Sequence, residues 1–482
     1  MKNYDYVIYG AGPSGLTLAY LLAKNKFKVA LIEKDIDIGG CWKVEWQDDK
    51  YFTEHSPRVL IDTKSGFYNL LKQIGFDYEN ETVPTYGKLF ETNYKLFNFF
   101  IRNLSLSDYF KLLFSSKKNL TVTEWLNKNN FSEKAKKAFT IFSILLANSP
   151  DKLLTSELFN ERGFPVMFLQ FKNNSKWLSM LKEKLLDLNV DLILNHSLDN
   201  LEYDKSVKRV SYGIIRDNEM WSGKNVKYIY GKNHLVTFPP KAMYDFLLKQ
   251  KEIIRNNWIN LKGERLDKWL EDSTYYSFGF QLHFKESKFD NPKLDIKNKE
   301  WCWSCVNEYN LILLPTSDYQ EKYSYDEKVK TVWSCTIVDT NKYISKFNKT
   351  VNEMSESEII DDISEFIYNN VGVYPYHVTI YDGVKKEYVN SKEIWISKDS
   401  AFSVGKSGVI KSKGKINNLE WIGPHNVKGI TTINKSVDNV INWIKENNLN
   451  TYNLDVANSF LIIYIIIILF LIYIVYKKYR SN

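Results

Sequence analysis

Apolar and polar positions in the first forty residues follow an order that predicts a strand, a helix and a second strand. Residues 4–9 are mostly β-branched or aromatic, as in a buried strand. Residues 16–23 carry apolar side chains at helical spacing, and residues 28–32 form a second apolar run. The pattern therefore predicts a β-α-β unit in this part of the chain.

The rest of the chain divides into a helical stretch and a mixed one. Residues 66–164 are predicted to be mostly helical, with helices at 66–74, 107–113, 122–126 and 132–146. Residues 211–385 alternate more, with strands expected at 227–230, 276–284, 310–314 and 331–338 and a helix at 355–369. This succession predicts a helical insertion followed by a mixed sheet covered by a helix.

An uncharged, mostly apolar stretch lies between Phe460 and Tyr476. Its seventeen residues would form a helix of about 26 Å, near the lower limit for crossing a hydrocarbon core. The residues before the first predicted strand do not have the pattern of a secretory signal. We therefore expect a single-pass C-terminal membrane anchor at residues 459–476 and a cytosolic catalytic body. The basic residues that follow the stretch favour the opposite orientation when the positive-inside rule is taken alone.

The composition is typical of a globular protein and argues against nucleic acid and metal as partners. Hydrophobic residues make up 44% and charged residues 25% of the 482 residues, and this length predicts two or more folding units. The net charge of +8 is spread along the chain rather than gathered on one basic face, so we expect no nucleic-acid partner. Cys302 and Cys305 have the spacing of a redox pair or half a zinc site. We favour a reduced structural pair and no metal.

A glycine-rich loop joins the first predicted strand to the first predicted helix. Gly10 permits a tight turn, Gly12 lets the backbone approach a pyrophosphate, and Gly15 lets helix and strand pack closely. The N-terminus of the helix directs amide groups at the phosphates. Glu33 ends the second strand, where its carboxylate can accept hydrogen bonds from ribose hydroxyls. The expected dinucleotide contacts in this unit are Gly10, Gly12, Pro13, Ser14, Gly15 and Glu33.

A second glycine pair follows the ribose acid, within residues 34–42. A plain NAD-binding unit does not need this pair. The sequence here resembles the FAD-containing amine oxidase superfamily, which also includes protoporphyrinogen oxidases, phytoene desaturases and UDP-galactopyranose mutases. The resemblance implies FAD and a second backbone segment packed close to the dinucleotide. The further cofactor contacts that it implies here are Lys34, Gly39, Gly40, Cys41 and Trp42.

Two later stretches carry the same resemblance. A helix from residue 177, with strands at 190–195 and 198–203, is similar to the family's return to the FAD domain. Leu198 falls at the position whose backbone meets the adenine. Residues 419–444 resemble the closing strand, turn and helix, and the resemblance implies flavin contacts for Gly423, Ile430 and Thr431.

The chain also departs from the family pattern. Cys41 stands where many members have an arginine, with Lys43 as a replacement for its charge. No cysteine occurs in the closing stretch, which implies that the FAD is held non-covalently. The lysine that many members hold near flavin N5 has no clear counterpart in residues 276–283. These departures weaken amine oxidation more than they weaken FAD binding.

In this family the chain beyond the glycine pair runs beneath the flavin, which makes His55 and Arg58 the candidate catalytic pair. Both residues are equally open to a structural role or to a contact with the FAD phosphates. His425 is either a flavin-edge residue or a turn residue. Trp301 and Trp303 are expected in the core rather than in an aromatic cage.

Together these features predict an α/β fold with a discontinuous, Rossmann-type FAD-binding domain (1–65, 165–210 and 386–450). A helical insertion (66–164), a mixed α+β substrate domain (211–385) and the transmembrane anchor (459–476) complete the expected organisation. The expected activity is a two-electron oxidation of an amine or lipophilic organic substrate by hydride transfer to flavin N5. A non-redox flavin-dependent mutase and a non-catalytic FAD-binding scaffold are the alternatives. The expected partners are a small-molecule substrate and the membrane, and a homodimer is left open.

Overall fold

The structure, a computed structural model, describes residues 2–61, 65–85, 88–89, 103–145, 148–160, 168–218, 225–258, 266–295, 303–304, 308–389, 392–397, 401–402, 408–428 and 431–454. The predicted anchor lies outside these residues, as do Trp301, Cys302, Cys305 and Ile430. Within the described residues, no helix combines the length and the apolar character that a membrane span requires.

Helices occupy most of the positions at which the hydrophobic spacing predicts them. Those described are α1 (Pro13–Lys24), α2 (Gly66–Gln73), α3 (Tyr78–Glu81), α4 (Leu106–Phe114), α5 (Val122–Lys128), α6 (Glu133–Leu145), α7 (Thr155–Asn160), α8 (Lys176–Asp187), α9 (Pro240–Leu248), α10 (Glu252–Arg255), α11 (Leu266–Ser273), α12 (Glu356–Val371) and α13 (Ile433–Glu446).

Strands of the first half of the chain are β1 (Asn3–Tyr9), β2 (Val29–Ile32), β3 (Glu45–Gln47), β4 (Tyr51–Thr53), β5 (Leu60–Ile61), β6 (Thr82–Thr85), β7 (Lys88–Leu89), β8 (Phe168–Phe171), β9 (Asp191–Ile193), β10 (His196–Asp204), β11 (Arg209–Asp217) and β12 (Val226–Val236). Those of the second half are β13 (Thr274–Tyr275), β14 (Phe278–Phe284), β15 (Trp303–Ser304), β16 (Leu311–Leu314), β17 (Thr331–Ile337), β18 (Tyr343–Ile344), β19 (Lys349–Thr350), β20 (His377–Ile380), β21 (Val384–Val389), β22 (Lys392–Ser397), β23 (Ala401–Phe402) and β24 (Leu419–Trp421).

The larger sheet has the strand order β10-β11-β12-β1-β2-β9, and β24 also pairs with β12. Strands β12, β1, β2 and β9 run parallel, whereas β10, β11 and β12 form an antiparallel meander. The parallel strands β1 and β2 are almost continuously apolar because helices cover the sheet. Helices α1, α2, α8 and α13 share one hydrophobic core against this sheet.

The second sheet is antiparallel, in the order β16-β17-β14-β20. Strands β14 and β17 are buried along their whole length, since helices α5, α6 and α12 pack in the same hydrophobic core. Helix α12 begins at a capping box between Ser355 and Glu358 and ends before Gly372 at φ +80°. Its buried side chains recur every fourth residue, at Ile359, Ile363 and Ile367.

The predicted domain boundaries need correction in three places. Helix α2 packs against α1 and α13, so it belongs to the first core and not to the helical insertion. Strands β11 and β12 are part of the larger sheet, so that unit continues well past residue 210. The hairpin β21–β22 contributes Trp395 to the core of the second sheet, so the closing segment starts after residue 386. Periodicity identified the helices and strands, but it does not tell which core each apolar face joins.

Candidate functional site

The two glycine motifs meet at the C-terminal end of β1. Gly10 turns the chain with φ +102°, and the amide of Gly39 donates a 2.9 Å hydrogen bond to the carbonyl of Ala11. A Cβ built on Gly40 would lie 3.0 Å from the Cα of Gly12, tighter than nine in ten real Cβ contacts. The two backbones therefore face each other with no side chain between them. This is the surface that a pyrophosphate needs for close approach.

Helix α1 starts directly from this loop. Its first intrahelical hydrogen bond runs from the amide of Leu16 to the carbonyl of Gly12, so the amides of Ser14 and Gly15 precede the ladder. Pro13, at the first helical position, has no amide to satisfy. A Cβ on Gly15 would lie 1.9 Å from the Gly10 carbonyl oxygen, so only glycine fits this contact between helix and loop. The start of α1 thus presents amides and the positive end of the helix dipole.

Glu33 lies beside this loop at the end of β2 and is almost fully buried. Its carboxylate accepts a 2.6 Å hydrogen bond from the Ala11 amide and a 3.1 Å bond from the Asp35 amide. Burial raises the pKa of Glu33 above its ordinary value, although both amides favour the charged form. The carbonyl of Glu33 accepts from the amide of His196. Leu198 lies two residues further along β10.

Thr237 and Phe238 complete the loop, and the sequence reasoning did not include them. The hydroxyl of Thr237 donates to the carbonyls of Tyr9 at 3.0 Å and Gly10 at 2.9 Å. The carbonyl of Phe238 accepts a hydrogen bond from the indole of Trp421 at 2.9 Å. The signal in the sequence is the Leu-Val end of a strand followed directly by Thr-Phe-Pro-Pro, a strand-then-turn pattern as at Gly10.

The two lysines predicted near the cofactor, Lys34 and Lys43, differ in their exposure and in their partners. Lys34 is exposed, and its carbonyl accepts from the side-chain amide of Asn218. Lys43 pairs with Asp35 at 3.0 Å and Glu45 at 3.3 Å. Burial lowers the pKa of Lys43, but the hydrogen bonds and charges of its two acidic partners more than offset it and raise the pKa overall. Lys43 is thus engaged by carboxylates and does not supply an uncompensated charge for a phosphate.

Cys41 and Trp42 form a short 3-10 turn with Gly40. Cys41 is half-buried, next to the contact between the two glycine motifs. Trp42 is buried and its ring packs edge-on against Phe171 and Trp177, with ring centroids 6.2 and 6.1 Å away. The ring of Trp42 therefore belongs to the core that holds the glycine pair in place.

Arg58 is fixed by contacts on every side of its guanidinium. Its Nε lies 3.2 Å from Glu54, and both side chains are almost fully buried. The remaining nitrogens donate to the carbonyl of Trp42 at 2.8 Å and the carbonyl of Lys43 at 2.6 Å. The carbonyl of Glu54 accepts from the side chain of Gln281 on β14. Burial raises the pKa of Glu54, while the charge of Arg58 opposes this shift. The predicted catalytic arginine thus joins the glycine pair to the second sheet.

His55 lies at the junction of the two sheets and is half-buried. Its Nε2 is 3.0 Å from the hydroxyl of Ser56, and its ring lies edge-on to Tyr381 at 6.1 Å between centroids. A Cβ on Gly279 would be 2.1 Å from the His55 carbonyl oxygen. Strand β14 contains no lysine, and at Gly279 the backbone of His55 leaves no room for a side chain. The two predicted catalytic residues are therefore near each other but in different surroundings.

The closing turn is held by an asparagine clamp. The amide of Gly423 donates to the side chain of Asn426, and Asn439 of α13 donates to the carbonyl of Gly423 at 2.9 Å. His425 is fully buried in this turn and its ring lies 3.7 Å from the ring of Trp421. Burial lowers the pKa of His425 to about 3, so the imidazole is neutral. His425 is therefore a turn residue packed in the core.

Helix α13 (Ile433–Glu446) is the next helix in the chain after the closing turn at Pro424–Asn426. The hydroxyl of Thr432 accepts from the amide of Lys435 and caps the helix, and Thr431 precedes this cap. The sequence places Ile430 beside Thr431, but Ile430 lies outside the described residues. The start of α13, like that of α1, presents amides and a positive dipole end. A polar, electron-rich ring edge is the kind of group that such a terminus accepts.

The residues present fit a dinucleotide with a second aromatic ring system. The bare backbone where Gly40 meets Gly12 leaves room for paired phosphates to approach closely. The buried Glu33 carboxylate lies beside this contact and suits ribose hydroxyls, and the N-termini of α1 and α13 offer amides and positive dipole ends. Among the described residues, no cluster of three or more histidine, cysteine or acidic side chains could hold a metal ion. The expectation of no metal stays a prediction, and residues 296–302 and 305–307 lie outside that part of the chain.

Sequence comparisons match a limited part of the chain. Residues 8–74 match the family profile of the NAD(P)-binding Rossmann-like domain. The thiamine thiazole synthase of Thermotoga maritima is 41% identical over 75 residues, 16% of this chain and 26% of that protein. The UDP-galactopyranose mutase of Mycoplasma genitalium is 30% identical over 132 residues, 23% of this chain and 33% of that protein. The chain thus spans about a quarter to a third of the length of these curated relatives.

Comparison of structures extends over nearly the whole chain. A putrescine oxidase solved with putrescine bound matches 93% of this chain and 99% of its own, with a TM-score of 0.61 and 13% identity. At this identity the similarity establishes the fold and nothing finer. The chain therefore has the α/β fold of the flavin amine oxidases, with a Rossmann-like dinucleotide unit at its start. The predicted resemblance is confirmed at this level.

Proposed function

We propose that this chain, with the fold of the flavin amine oxidases, binds FAD non-covalently and catalyses a two-electron oxidation of a small organic substrate. One observation carries the proposal. The Gly12 and Gly40 backbones face each other so closely that a Cβ on Gly40 would lie 3.0 Å from the Cα of Gly12. A glycine pair at this contact lets two backbone surfaces converge on one ligand. Glu33, buried beside the pair, supplies the polar group that a ribose requires.

Different residues around this contact bind different parts of the cofactor. The amides of Ser14 and Gly15 at the start of α1 take the pyrophosphate, and the Glu33 carboxylate takes the ribose hydroxyls. The backbone of β10 at Leu198 takes the adenine edge. The start of α13 at Thr431 takes the pyrimidine edge of the flavin. Gly39, Gly40 and Cys41 provide the second backbone surface.

Substrate oxidation takes place on the side of the second sheet. The flavin, when bound, supplies a two-electron acceptor for the hydride that leaves the substrate carbon. His55, whose backbone packs against Gly279 of β14, is the candidate acceptor for the proton lost by the substrate heteroatom, with Ser56 orienting its ring. Arg58 acts by position, because its guanidinium is occupied by Glu54 and two carbonyls. A tether at residues 460–476 would deliver lipophilic substrates from the bilayer.

Anaerobic reduction of the bound flavin tests this proposal. The full chain is loaded with FAD and mixed without oxygen with primary amines such as putrescine, and separately with lipophilic hydride donors. Loss of the visible flavin colour by one substrate class supports the oxidase. A His55→Gln variant should bind FAD with the affinity of the parent and bleach at least about a hundredfold more slowly, the lower end of what a general base contributes. Normal bleaching by His55→Gln would remove His55 from the mechanism.

A non-redox mutase is the second candidate. Two observations favour it: the local similarity to a UDP-galactopyranose mutase and the lack of a lysine on β14. The chain, reduced with dithionite, is incubated with UDP-galactopyranose and the sugar ring size is followed by chromatography. Ring contraction without bleaching by any hydride donor supports the mutase and contradicts the oxidase. Neither reaction, with FAD bound, supports a non-catalytic scaffold.

A further inference from the structure

Helix α4 carries an apolar face that points away from the body of the protein. Its exposed side chains are Leu106 (41% exposed), Phe110 (56%), Leu113 (51%) and Phe114 (78%). At 3.6 residues per turn these four positions fall within an arc of about 100°. Scattered exposed apolar residues are normal in soluble proteins, whereas a continuous stripe on one helix face marks a contact surface.

The orientation of α4 is the reverse of an ordinary surface helix. Asp108 is fully buried and accepts hydrogen bonds from the Ser132 amide at 3.0 Å and the Ser132 hydroxyl at 2.7 Å. Lys111 donates to the carbonyl of Asn130, and Tyr109 is buried in the core. The helix therefore docks through a face that includes its charged residues and turns its apolar stripe outward. Amphipathic helices of globular proteins bury the apolar stripe instead.

The apolar stripe is held in place before any partner arrives. The rings of Phe110 and Phe114 stack with centroids 6.1 Å apart and planes 20° from parallel. Ser105 caps the start of the helix through a capping box with Asp108. The hydroxyl of Ser115, just after the helix, accepts from the indole of Trp125 at 2.8 Å. A face fixed at both ends loses little conformational entropy on binding.

The charge around the stripe identifies the kind of partner. Residues 105–137 contain seven lysines and three acidic residues. One of the acids is Asp108, which points inward, and Lys118, just beyond the end of α4, is exposed. An apolar helix face in a lysine-rich part of the chain, with Lys118 exposed beyond its end, suits the interface of an anionic bilayer.

We propose that the outward face of α4 lies in the headgroup region of an anionic membrane, with Lys118 at the lipid phosphates. Lipid suits this face better than protein does, because a bilayer has an apolar layer beneath a negatively charged one. The apolar stripe of α4 would meet the apolar layer, and Lys118 would meet the negative one. The predicted anchor at residues 460–476 would hold the chain at such a surface. The proposal does not depend on FAD or on catalysis.

The test places a reporter on the face itself. The full chain carrying Phe114→Cys is labelled with an environment-sensitive fluorophore and reconstituted into vesicles of phosphatidylcholine with phosphatidylserine. We expect a blue-shifted emission and quenching by nitroxide-labelled lipids. The matched control is Val207→Cys, an exposed apolar position in the turn after β10, which should show neither effect. The signal of the unsubstituted chain, which has its own cysteines, is subtracted.

Three further results decide the proposal. Quenching at residue 114 should weaken in vesicles of phosphatidylcholine alone, and Lys118→Glu should weaken it in the anionic vesicles. An unshifted, unquenched label at residue 114 in both vesicles overturns the proposal. A blue-shifted label that lipid does not quench also overturns it, because protein then covers the face. If that shift depends on protein concentration, the covering protein is a second copy.

Discussion

At the scale of single residues, two glycines decide whether two loops can share one ligand. Gly40 has φ +54° and faces Gly12 across a gap that a methyl group would fill. Gly75 has φ +84° as well, but a Cβ there would find its nearest neighbour, Met180, at 3.8 Å. Alanine at either position therefore has a similar backbone penalty of about 1 kcal/mol, because both φ angles are positive. The two positions differ in the room that is left for a Cβ.

We predict that Gly40→Ala weakens FAD binding at least about tenfold, whereas Gly75→Ala leaves the affinity unchanged. The added methyl group separates the two loops by the few tenths of an ångström that the pyrophosphate contact cannot tolerate. Titration of each apoprotein with FAD, followed by quenching of flavin fluorescence, measures both affinities. Equal affinities for the two variants would mean that the glycine contact has no role in binding.

Glu33 offers a second test at the residue scale. Glu33→Gln keeps the volume of the side chain but replaces one acceptor oxygen, so a charge-assisted ribose bond becomes a neutral one. We expect a loss of about 1–2 kcal/mol in FAD binding, or roughly tenfold in affinity. Glu420→Gln is the matched control, because Glu420 is also buried with a raised pKa but bonds Trp443. An equal loss in the control would contradict a specific ribose contact.

The sequence alone pointed to the glycines and Glu33, which the structure brings together, but not to the contacts of Arg58 and Thr237. The glycines and Glu33 follow a spacing that only a dinucleotide loop requires, so they could be predicted. Arg58 could not be assigned, because its partners Glu54 and the carbonyl of Lys43 come together only through the fold. Thr237 was missed for the same reason: its two carbonyl acceptors belong to β1 and the loop after it, far away in sequence.

At the scale of elements, a buried ion pair joins the glycine pair to the second sheet. Arg58 holds the carbonyls of Trp42 and Lys43, and its partner Glu54 is tied through its own carbonyl to Gln281. The second sheet therefore positions the loop on which the cofactor contact rests. Few such links are visible in sequence, because hydrophobic periodicity reports the elements and not their mutual contacts.

We predict that Arg58→Met destabilises the protein by about 3 kcal/mol or more, since it leaves the Glu54 carboxylate buried without its partner. The double variant Arg58→Met with Glu54→Leu should recover part of this loss, because no charge then remains buried. Urea unfolding of the four proteins in the cycle gives the coupling energy. Additive losses for the two substitutions would show that the pair is not coupled.

At the scale of the whole molecule, buried imidazoles link stability to pH. Burial lowers the pKa values of His234, His283 and His425 to about 3, against an ordinary value near 6.5. These side chains bind protons in the unfolded state before they do so in the folded one. The part of the free energy of unfolding that depends on these neutral imidazoles is therefore fully present above pH about 6.5 and is lost as the pH falls towards 3.

We predict that the free energy of unfolding falls on acidification by up to about 1.4 kcal/mol per pH unit for each such histidine. Urea titrations of the parent and of His425→Gln between neutral pH and mild acid test this, because the slope for the variant should be shallower. Comparing slopes cancels the opposite contribution of buried carboxyl groups such as Glu54, whose pKa is raised. Parallel slopes would contradict a neutral, buried His425.

The organisation of the whole chain was predictable in kind but not in its boundaries. The dinucleotide unit returns late in the chain, as expected, through β24 and α13. The placement of α2 in the first core and of the β21–β22 hairpin in the second could not be foreseen. Each of these elements has an apolar face that would suit either core, and long-range packing decides between them.

The presence of FAD in the purified full chain tests the central claim most directly. The protein should be yellow, contain FAD in an equimolar amount, and release all of the colour into the supernatant when precipitated with acid, because no covalent bond holds it. A colourless protein that also fails to bind added FAD would contradict the account, and colour that stays in the pellet would contradict non-covalent binding.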